Sequence, residues 1–214
     1  MAEVIQQIVD KVIEGNIPEV ESLTQEAVKL KLDPENIMNE GFIPGLEVVG
    51  KKYTDGEFFL PEMIMAGMAV KGAMEILKPL VTKSGGRLKG TVVIGTVLGD
   101  THDIGKNIVS MMLEGGGFRV IDLGTDVSAE KFIEAIRVNN ADIVAMSALI
   151  STTRANMPNI IKEIHASGLD RSKPKVMVGG APVTQDFADN IGADGYAPDA
   201  GLAVKKAKEL LGVN

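Results

Sequence analysis

Asp100-Thr101-His102-Asp103-Ile104-Gly105 is the stretch of this chain best suited to chemistry. It sets an imidazole between two carboxylates, in a sequence of 214 residues with only 2 histidines. Asp100-x-His102 supplies side chains that bind metals, and Gly105 permits close approach of the backbone. The same residues also fit a plain surface loop, with Asp103 capping the next helix and His102 incidental. From the stretch alone the two readings stand level.

The elements around it narrow the choice. Thr91 to Val97 is β-branched, apolar and bounded by glycines, which predicts a buried strand. Ile104 to Leu113 has apolar residues at helical spacing, which predicts a helix. The hexapeptide therefore belongs to a strand-to-helix loop at the carboxyl edge of a sheet, where open α/β sheets bind ligands. Residues 90–214 continue to alternate. Strands are expected at Arg119–Leu123, Ile143–Ser147, Lys175–Val178 and Asp194–Tyr196. Helices are expected at Ala129–Val138, over the run ending at His165, and at Gln185–Asn190 and Leu202–Leu211. Five βα units imply an open, doubly wound, five-stranded parallel sheet.

In such a sheet every loop after a strand lies at the same edge. Four have unusual content: Gly99 to Lys106; Ser147-Ala148-Leu149-Ile150-Ser151-Thr152-Thr153; Gly179-Gly180-Ala181-Pro182; and Gly195 to Ala200, which includes Tyr196. Hydroxyls and a bare Gly-Gly backbone can line a slot for a planar or nucleotide-like group. Singly, each is a helix cap, a turn or a rim residue. Together with a histidine at the same edge, they favour a ligand site.

Residues 1–88 read as four helices, a small bundle. Two stripes, Val4 to Val12 and Val20 to Leu30, precede a third helix that starts at Asp33-Pro34 and runs toward Tyr53, bent or broken near Gly41, Pro44 and Gly45. A fourth opens at Leu60-Pro61-Glu62 and is expected to end near Leu77, before Pro79. Thr82 to Lys89 reads as the linker to a second domain, 89–214.

Composition removes several functions. A charge of −7 with no Lys/Arg-rich run argues against nucleic acid. We read no signal peptide and no apolar run of membrane length, so a cytoplasmic location is expected. Cysteine is absent, which excludes a thiolate zinc site, a Cys-ligated iron–sulfur cluster and a Cys nucleophile. Neither G-x-G-x-x-G after the first strand nor a P-loop occurs, and G-x-S-x-G is missing. His102 has no convincing third and fourth metal ligands in sequence. His165, late in its helix, suits the helix C-terminus better than a metal.

The order Asp100-x-His102-x-x-Gly105, Ser147-x-Leu149, Gly179-Gly180 resembles the cobalamin-binding signature D-x-H-x-x-G, S-x-L, G-G. The helical part, with Tyr53 to Ile64 its most recognisable segment, resembles the cap domain of methyl-transferring cobalamin proteins. Together these cover essentially the whole chain. The pattern is similar to the stand-alone corrinoid proteins of anaerobic methyltransferase systems, and to the same module inside cobalamin-dependent methionine synthase. The resemblance implies a flavodoxin-like domain behind a helical cap, and a cofactor that is cobalamin or a related corrinoid, cycling through methylcobalamin and Co(I)/Co(II) forms.

It further implies His102 as the lower ligand of cobalt, with the benzimidazole displaced, and Asp100 and Thr153 as a relay behind it. Gly99, Thr101, Asp103, Ile104 and Gly105 would line the cofactor with them. Ser147, Leu149 and Ser151 would contact its tail between the third and fourth loops, with Gly179 and Gly180 allowing close approach. Tyr196 and Ala200 would line the other side. Tyr53, Leu60, Met63 and Ile64 would cover the upper face. The implied partners are a substrate-specific methyltransferase for methylamine, methanol, methoxy compounds or betaine, a second methyltransferase acting on tetrahydrofolate or coenzyme M, and a reductive activase. Imidazole suits the role, since it can bind, detach and take a proton near neutral pH. The rival reading is a cobalamin-binding sensor or regulatory module. A phosphoryl receiver is disfavoured because its third loop would need an aspartate, where this chain has Ser and Thr.

Overall fold

The computed structural model describes residues 2–83, 88–169 and 174–213. They fall into two compact units, Met1–Leu88 with Met111–Gly117, and Lys89–Ser110 with Phe118–Asn214.

In the first unit, helices α1 (Ala2–Ile13) and α2 (Ile17–Lys29) pack together, joined through Asn16, whose side chain accepts the Glu19 N–H. A short turn α3 (Pro34–Asn36) runs into a π-helical segment, Ile37–Phe42, and then into α4 (Ile43–Thr54). The bend expected near Gly41 and Pro44 is therefore a widened turn within one continuous helical run, not a break. A π turn shifts the backbone bonds by one residue, which accommodates a proline that cannot donate. Helix α5 (Leu60–Lys83) passes through Pro79 instead of stopping near Leu77. Ala66, Ala69, Val70, Ala73, Met74 and Leu77 form a fully buried stripe along it. That packing offsets a helix-interior proline, which costs about 3 kcal/mol. Of the linker expected at Thr82 to Lys89, residues 82 and 83 belong to α5, and 84–87 lie outside the described residues.

The second unit is built on five parallel strands: β1 (Thr91–Thr96), β2 (Arg119–Asp122), β3 (Ile143–Ser147), β4 (Lys175–Gly179) and β5 (Gly195–Tyr196). Their order is β2-β1-β3-β4-β5. Helices α6 (Ile104–Gly115), α7 (Ala129–Asn139), α8 (Ser151–Arg154), α9 (Met157–Ala166), α10 (Gln185–Asn190) and α11 (Ala200–Leu211) make the connections and the C-terminal end. The five-stranded parallel sheet inferred from the alternation is observed, and its strand order is the flavodoxin-like one that the resemblance implies. The central strands read as unbroken apolar runs because both faces are covered. Val93, Val144, Val176 and Val178 join Phe132, Ile160, Ile161 and Ile164 in one core.

Helix starts follow local chemistry. Ser128, Thr184 and Asp199 cap α7, α10 and α11 through the N–H groups of Lys131, Phe187 and Leu202. The amphipathic run ending at His165 is split into α8 and α9, because Pro158 can neither donate to the Arg154 carbonyl nor avoid it sterically. β5 is a residue shorter than expected. Just before it, Asp194 bonds Val176 of β4 twice, its N–H donating to the Val176 carbonyl and its carboxylate accepting the Val176 N–H, each at 2.8 Å.

Register sets up the site. Thr96 pairs with Ser147 and Ser147 with Gly179, while Val178 pairs with Tyr196. The loops after β1, β3, β4 and β5 therefore begin at one level along the sheet's carboxyl edge.

Candidate functional site

The site is built around a carboxylate with no exposed surface. Asp100 is 0 % exposed, one turn of loop beyond β1. One oxygen accepts the backbone N–H of Leu149 at 2.8 Å and the hydroxyl of Thr153 at 2.6 Å. The other accepts the backbone N–H of His102 at 3.0 Å and lies 2.8 Å from His102 Nδ1. Burial by itself pushes the Asp100 carboxyl up. The Thr153 hydroxyl, the Leu149 and His102 amides and the His102 ring outweigh it and hold the group well below the usual carboxylate range.

An ionised carboxylate only accepts, so His102 Nδ1 carries the hydrogen and the neutral ring's lone pair sits on Nε2. Thr153 also lies 3.0 Å from the Ile150 carbonyl, but it has one hydrogen, and the shorter contact to a charged acceptor takes it. The His102 side chain is 52 % exposed. Its carbonyl accepts the hydroxyl of Thr96, a fully buried residue of β1, at 2.9 Å. The buried Asp100 and the Thr96 hydroxyl thus hold a half-exposed imidazole by its Nδ1 and its backbone. Among the described residues His102 is not joined by the further His, Asp or Glu side chains that a protein-built metal site needs.

The segments that follow β1 and β3 also expose apolar side chains beside polar ones. Leu98, Leu149 and Ile150, on the loops after β1 and β3, and Ile104, which opens α6, are all exposed large hydrophobics. Exposed apolar residues gathered at one edge mark a binding surface. Gly105, in the first turn of α6, has no positive φ, and a Cβ there would meet nothing within 4 Å. A helical glycine costs about 0.5–1 kcal/mol relative to alanine, and no described neighbour requires one here. The residue leaves the surface beside His102 flat.

The remaining signature residues of this unit lie along the same edge. Gly99 (φ +79°) and the exposed Thr101 and Asp103 flank His102. Asp103 begins α6 through its carbonyl, which accepts the Asn107 N–H at 2.8 Å. Ser147 ends β3, and the exposed Ser151 starts α8. Tyr196 ends β5, and the buried Ala200 starts α11. Gly179 ends β4, and its carbonyl accepts the Ala148 N–H at 3.3 Å. Gly180 is required by the chain itself. With φ +113°, a Cβ on it would lie 1.9 Å from the Ala148 carbonyl oxygen. Gly180→Ala should therefore destabilise the protein by about 2 kcal/mol or more, from backbone strain and collision together. Thermal unfolding of the ligand-free variant checks this, and an unchanged midpoint would refute it. Arg154 also ties the third loop to the fourth. It donates to the Pro182 carbonyl and stacks its guanidinium 4.3 Å from the Phe187 ring centroid.

Tyr53, Leu60, Met63 and Ile64 belong to the helical unit. Tyr53 is half-buried in the last turn of α4, and the other three lie in the first turns of α5. Leu60 is exposed, Ile64 intermediate and Met63 buried at 1 % exposure. The Glu62 carboxylate accepts the Phe59 N–H at 2.9 Å, fixing the start of α5 and leaving the Phe59 ring exposed.

Thr96, Asp122 and Asp126 are functional candidates missed in the sequence. Thr96 reads as one more strand residue. Asp122 ends β2 and Asp126 lies in the loop after it, two carboxylates that read in sequence as part of an ordinary connection.

The chain matches the B12 binding domain family over residues 90–205, and a second family of that description over residues 4–78. It is 44% identical to a dimethylamine corrinoid protein of Methanosarcina barkeri, over 98% of both chains. It is 42% identical to a corrinoid protein of Desulfitobacterium hafniense, over 97% of both. Among solved structures, the methanol:cobalamin methyltransferase complex of Methanosarcina barkeri aligns with TM-score 0.78 at 32% identity, over 99% of this chain and 81% of that one. A fold of five parallel strands with a helical N-terminal unit, and a histidine held at the sheet edge, define a cofactor-binding module. The chain belongs to the B12-binding corrinoid proteins.

Proposed function

We propose that this protein carries a methyl group on a bound corrinoid between two methyltransferases, and that His102 is the protein's ligand to the corrinoid metal. The observation that carries the reading is the half-exposed imidazole whose Nδ1 is bound by the buried Asp100, which leaves the Nε2 lone pair for a metal. A corrinoid fits these residues. It would bring metal ligands of its own, so one protein imidazole would suffice. Its flat, largely apolar face suits the surface at Gly105, Leu98, Ile104, Leu149 and Ile150. When bound, the corrinoid supplies a cobalt centre able to accept and release a methyl group.

The residues of this chain orient and tune. Asp100 fixes the ring's tautomer and orientation through Nδ1. Thr153 and the Leu149 N–H keep Asp100 ionised without water. Thr96 fixes the backbone carbonyl of His102. Leu98, Ile104, Leu149 and Ile150 would help to exclude water from a bound corrinoid. Ser147, Ser151, Gly179, Gly180, Tyr196 and Ala200 would serve the cofactor's tail along the same edge.

The relatives named for dimethylamine and trimethylamine, and the neighbour named for methanol, support a methylated amine or methanol as the ultimate donor. A substrate-specific methyltransferase would load the carrier. A second, acting on tetrahydrofolate or coenzyme M, would unload it, and a reductive activase would restore it after oxidation. Among the described residues no helix is long and apolar enough to cross a membrane, and we place the carrier in the cytoplasm.

The test is dependence on partners. Reduced, cobalamin-loaded protein mixed with methylamines or methanol alone should keep its absorption spectrum. Adding a cognate methyltransferase should change the spectrum with one methyl group consumed per protein. Rapid change with substrate alone would make this chain an enzyme and overturn the carrier reading.

A further inference from the structure

The loop after β2 holds the His102 loop at both ends, although the cobalamin signature has no element there. Asp126 lies at its far end with φ 54°, one of three non-glycine residues with positive φ among those described. Asp and Asn tolerate this region better than other side chains, but it remains strained, and such residues persist where surrounding contacts fix them. The contacts are specific. The Asp126 carboxylate accepts the Gly99 N–H at 2.7 Å, and the Asp126 N–H donates to the Asp100 carbonyl at 3.0 Å. Both bonds grip the residues just before His102.

The second grip is on the other side. Lys106, in the first turn of α6, is 2 % exposed. Its ammonium donates to the Asp122 carboxylate and, at 2.6 Å, to Asn107 Oδ1. The other Asp122 oxygen accepts the Gly124 N–H at 2.8 Å. A buried cation needs such a partner, and its geometry fixes α6 against the end of β2. The loop itself is anchored to β1. Leu123 and Val127 donate to the Ile94 and Thr96 carbonyls, and Thr96 donates to the Gly124 carbonyl, at 2.8, 3.0 and 3.0 Å. Segment 99–106 is thus tied at both ends to a rigid neighbour.

We infer that Asp126 and the Lys106–Asp122 pair are positioning residues for His102: they clamp its loop from both sides and set where the imidazole meets the corrinoid metal. This rests on His102 being the metal's ligand. Neither Asp126 nor Lys106 touches the cofactor in this account, and each acts through the backbone of residues 99–106.

The test uses the full chain with Asp126→Gly, Asp126→Asn, Lys106→Met and His102→Ala. Asp126→Gly keeps the backbone N–H and relaxes φ, losing only the carboxylate. Asp126→Asn keeps an acceptor for Gly99 and tolerates the same φ. Three quantities are read: the thermal midpoint of ligand-free protein, the affinity for aquocobalamin, and the nitrogen coupling of the Co(II) form in protein carrying 15N-histidine. Asp126→Gly should melt near the parent, bind about tenfold more weakly, at the low end of the ~10–100-fold seen when groups behind a metal ligand are removed, and show reduced histidine coupling. Asp126→Asn should restore most of both. Lys106→Met should repeat the loss where it folds.

Parental affinity and coupling in Asp126→Gly would overturn the clamp. So would a loss that merely follows a lowered melting midpoint in both Asp126 variants, since that marks packing alone. If His102→Ala abolishes the histidine coupling while Asp126→Gly leaves it intact, the clamp fails and the ligand stands. If His102→Ala leaves it unchanged, the ligand reading fails and takes the clamp with it.

Discussion

His102→Ala should remove the protein's nitrogen coupling from the bound cobalt and weaken corrinoid binding by more than about 100-fold, since loss of the ligand exceeds the ~10–100-fold typical of losing a residue behind it. Folding should survive. The ring is half-exposed, and its backbone bonds, the N–H to Asp100 and the carbonyl from Thr96, do not depend on the side chain. Labelling with 15N-histidine makes the result unambiguous, because a benzimidazole nitrogen of the cofactor stays unlabelled. The chain has 2 histidines. The second, His165, lies in the last turn of α9, so the alanine variant separates them. Isotope-dependent splitting should appear in the parent protein and vanish in the variant. Its persistence would exclude His102, and methyl transfer at the parental rate in the variant would refute the mechanism.

Asp100→Asn should give the second large effect, and here stability falls together with binding. The two side chains have nearly the same shape. Each Asp100 oxygen faces one backbone N–H, from Leu149 on one side and His102 on the other. Whichever way the amide turns, its NH2 opposes a backbone donor that cannot rotate away. A buried donor without an acceptor costs about 1–3 kcal/mol, and hydrogen bonds to a charged group contribute about 1.5–3 kcal/mol, so about 3 kcal/mol in total is expected. Corrinoid affinity should fall about 10–100-fold as ring orientation is lost.

The pH dependence has a definite sign. The folded state holds this carboxyl below its ordinary range, so it favours the anion. The stabilisation is complete above the unfolded-state value of about 3.9 and is lost as pH falls through the lower folded-state value. Parent and variant should therefore differ by a constant amount near neutrality and converge only in strong acid. Denaturant titrations across that range measure it. A difference that grew on acidification would contradict the assignment.

Some of this was determined by sequence alone, because the causes are local. Apolar runs bounded by glycine and apolar residues at helical spacing are properties of neighbouring residues, so the alternation of strand and helix and the parallel sheet were legible. That alternation placed the loops bearing His102, Ser147, Gly179 and Tyr196 at one carboxyl edge. The motif spacing then led to the resemblance that named the cofactor and proposed Thr153 as Asp100's hydroxyl partner.

Other features had no local cause. Pro79 reads as a helix end, and only the buried stripe from Ala66 to Leu77 explains why α5 continues. Asp100 takes its two decisive donors from Leu149 and Thr153, 49 and 53 residues away. Those contacts exist because β1 lies beside β3. The loop after β2 reads as an ordinary connection until the order β2-β1-β3 sets it on the other side of the same strand. Gly180 reads as room for a ligand, and the fold adds a second constraint, since a Cβ there would collide with the Ala148 carbonyl. Strand order decides which distant loops touch. It follows from how whole strands and helices pack, and so Asp126 and Asp122 became visible as the brace of the histidine loop only in three dimensions.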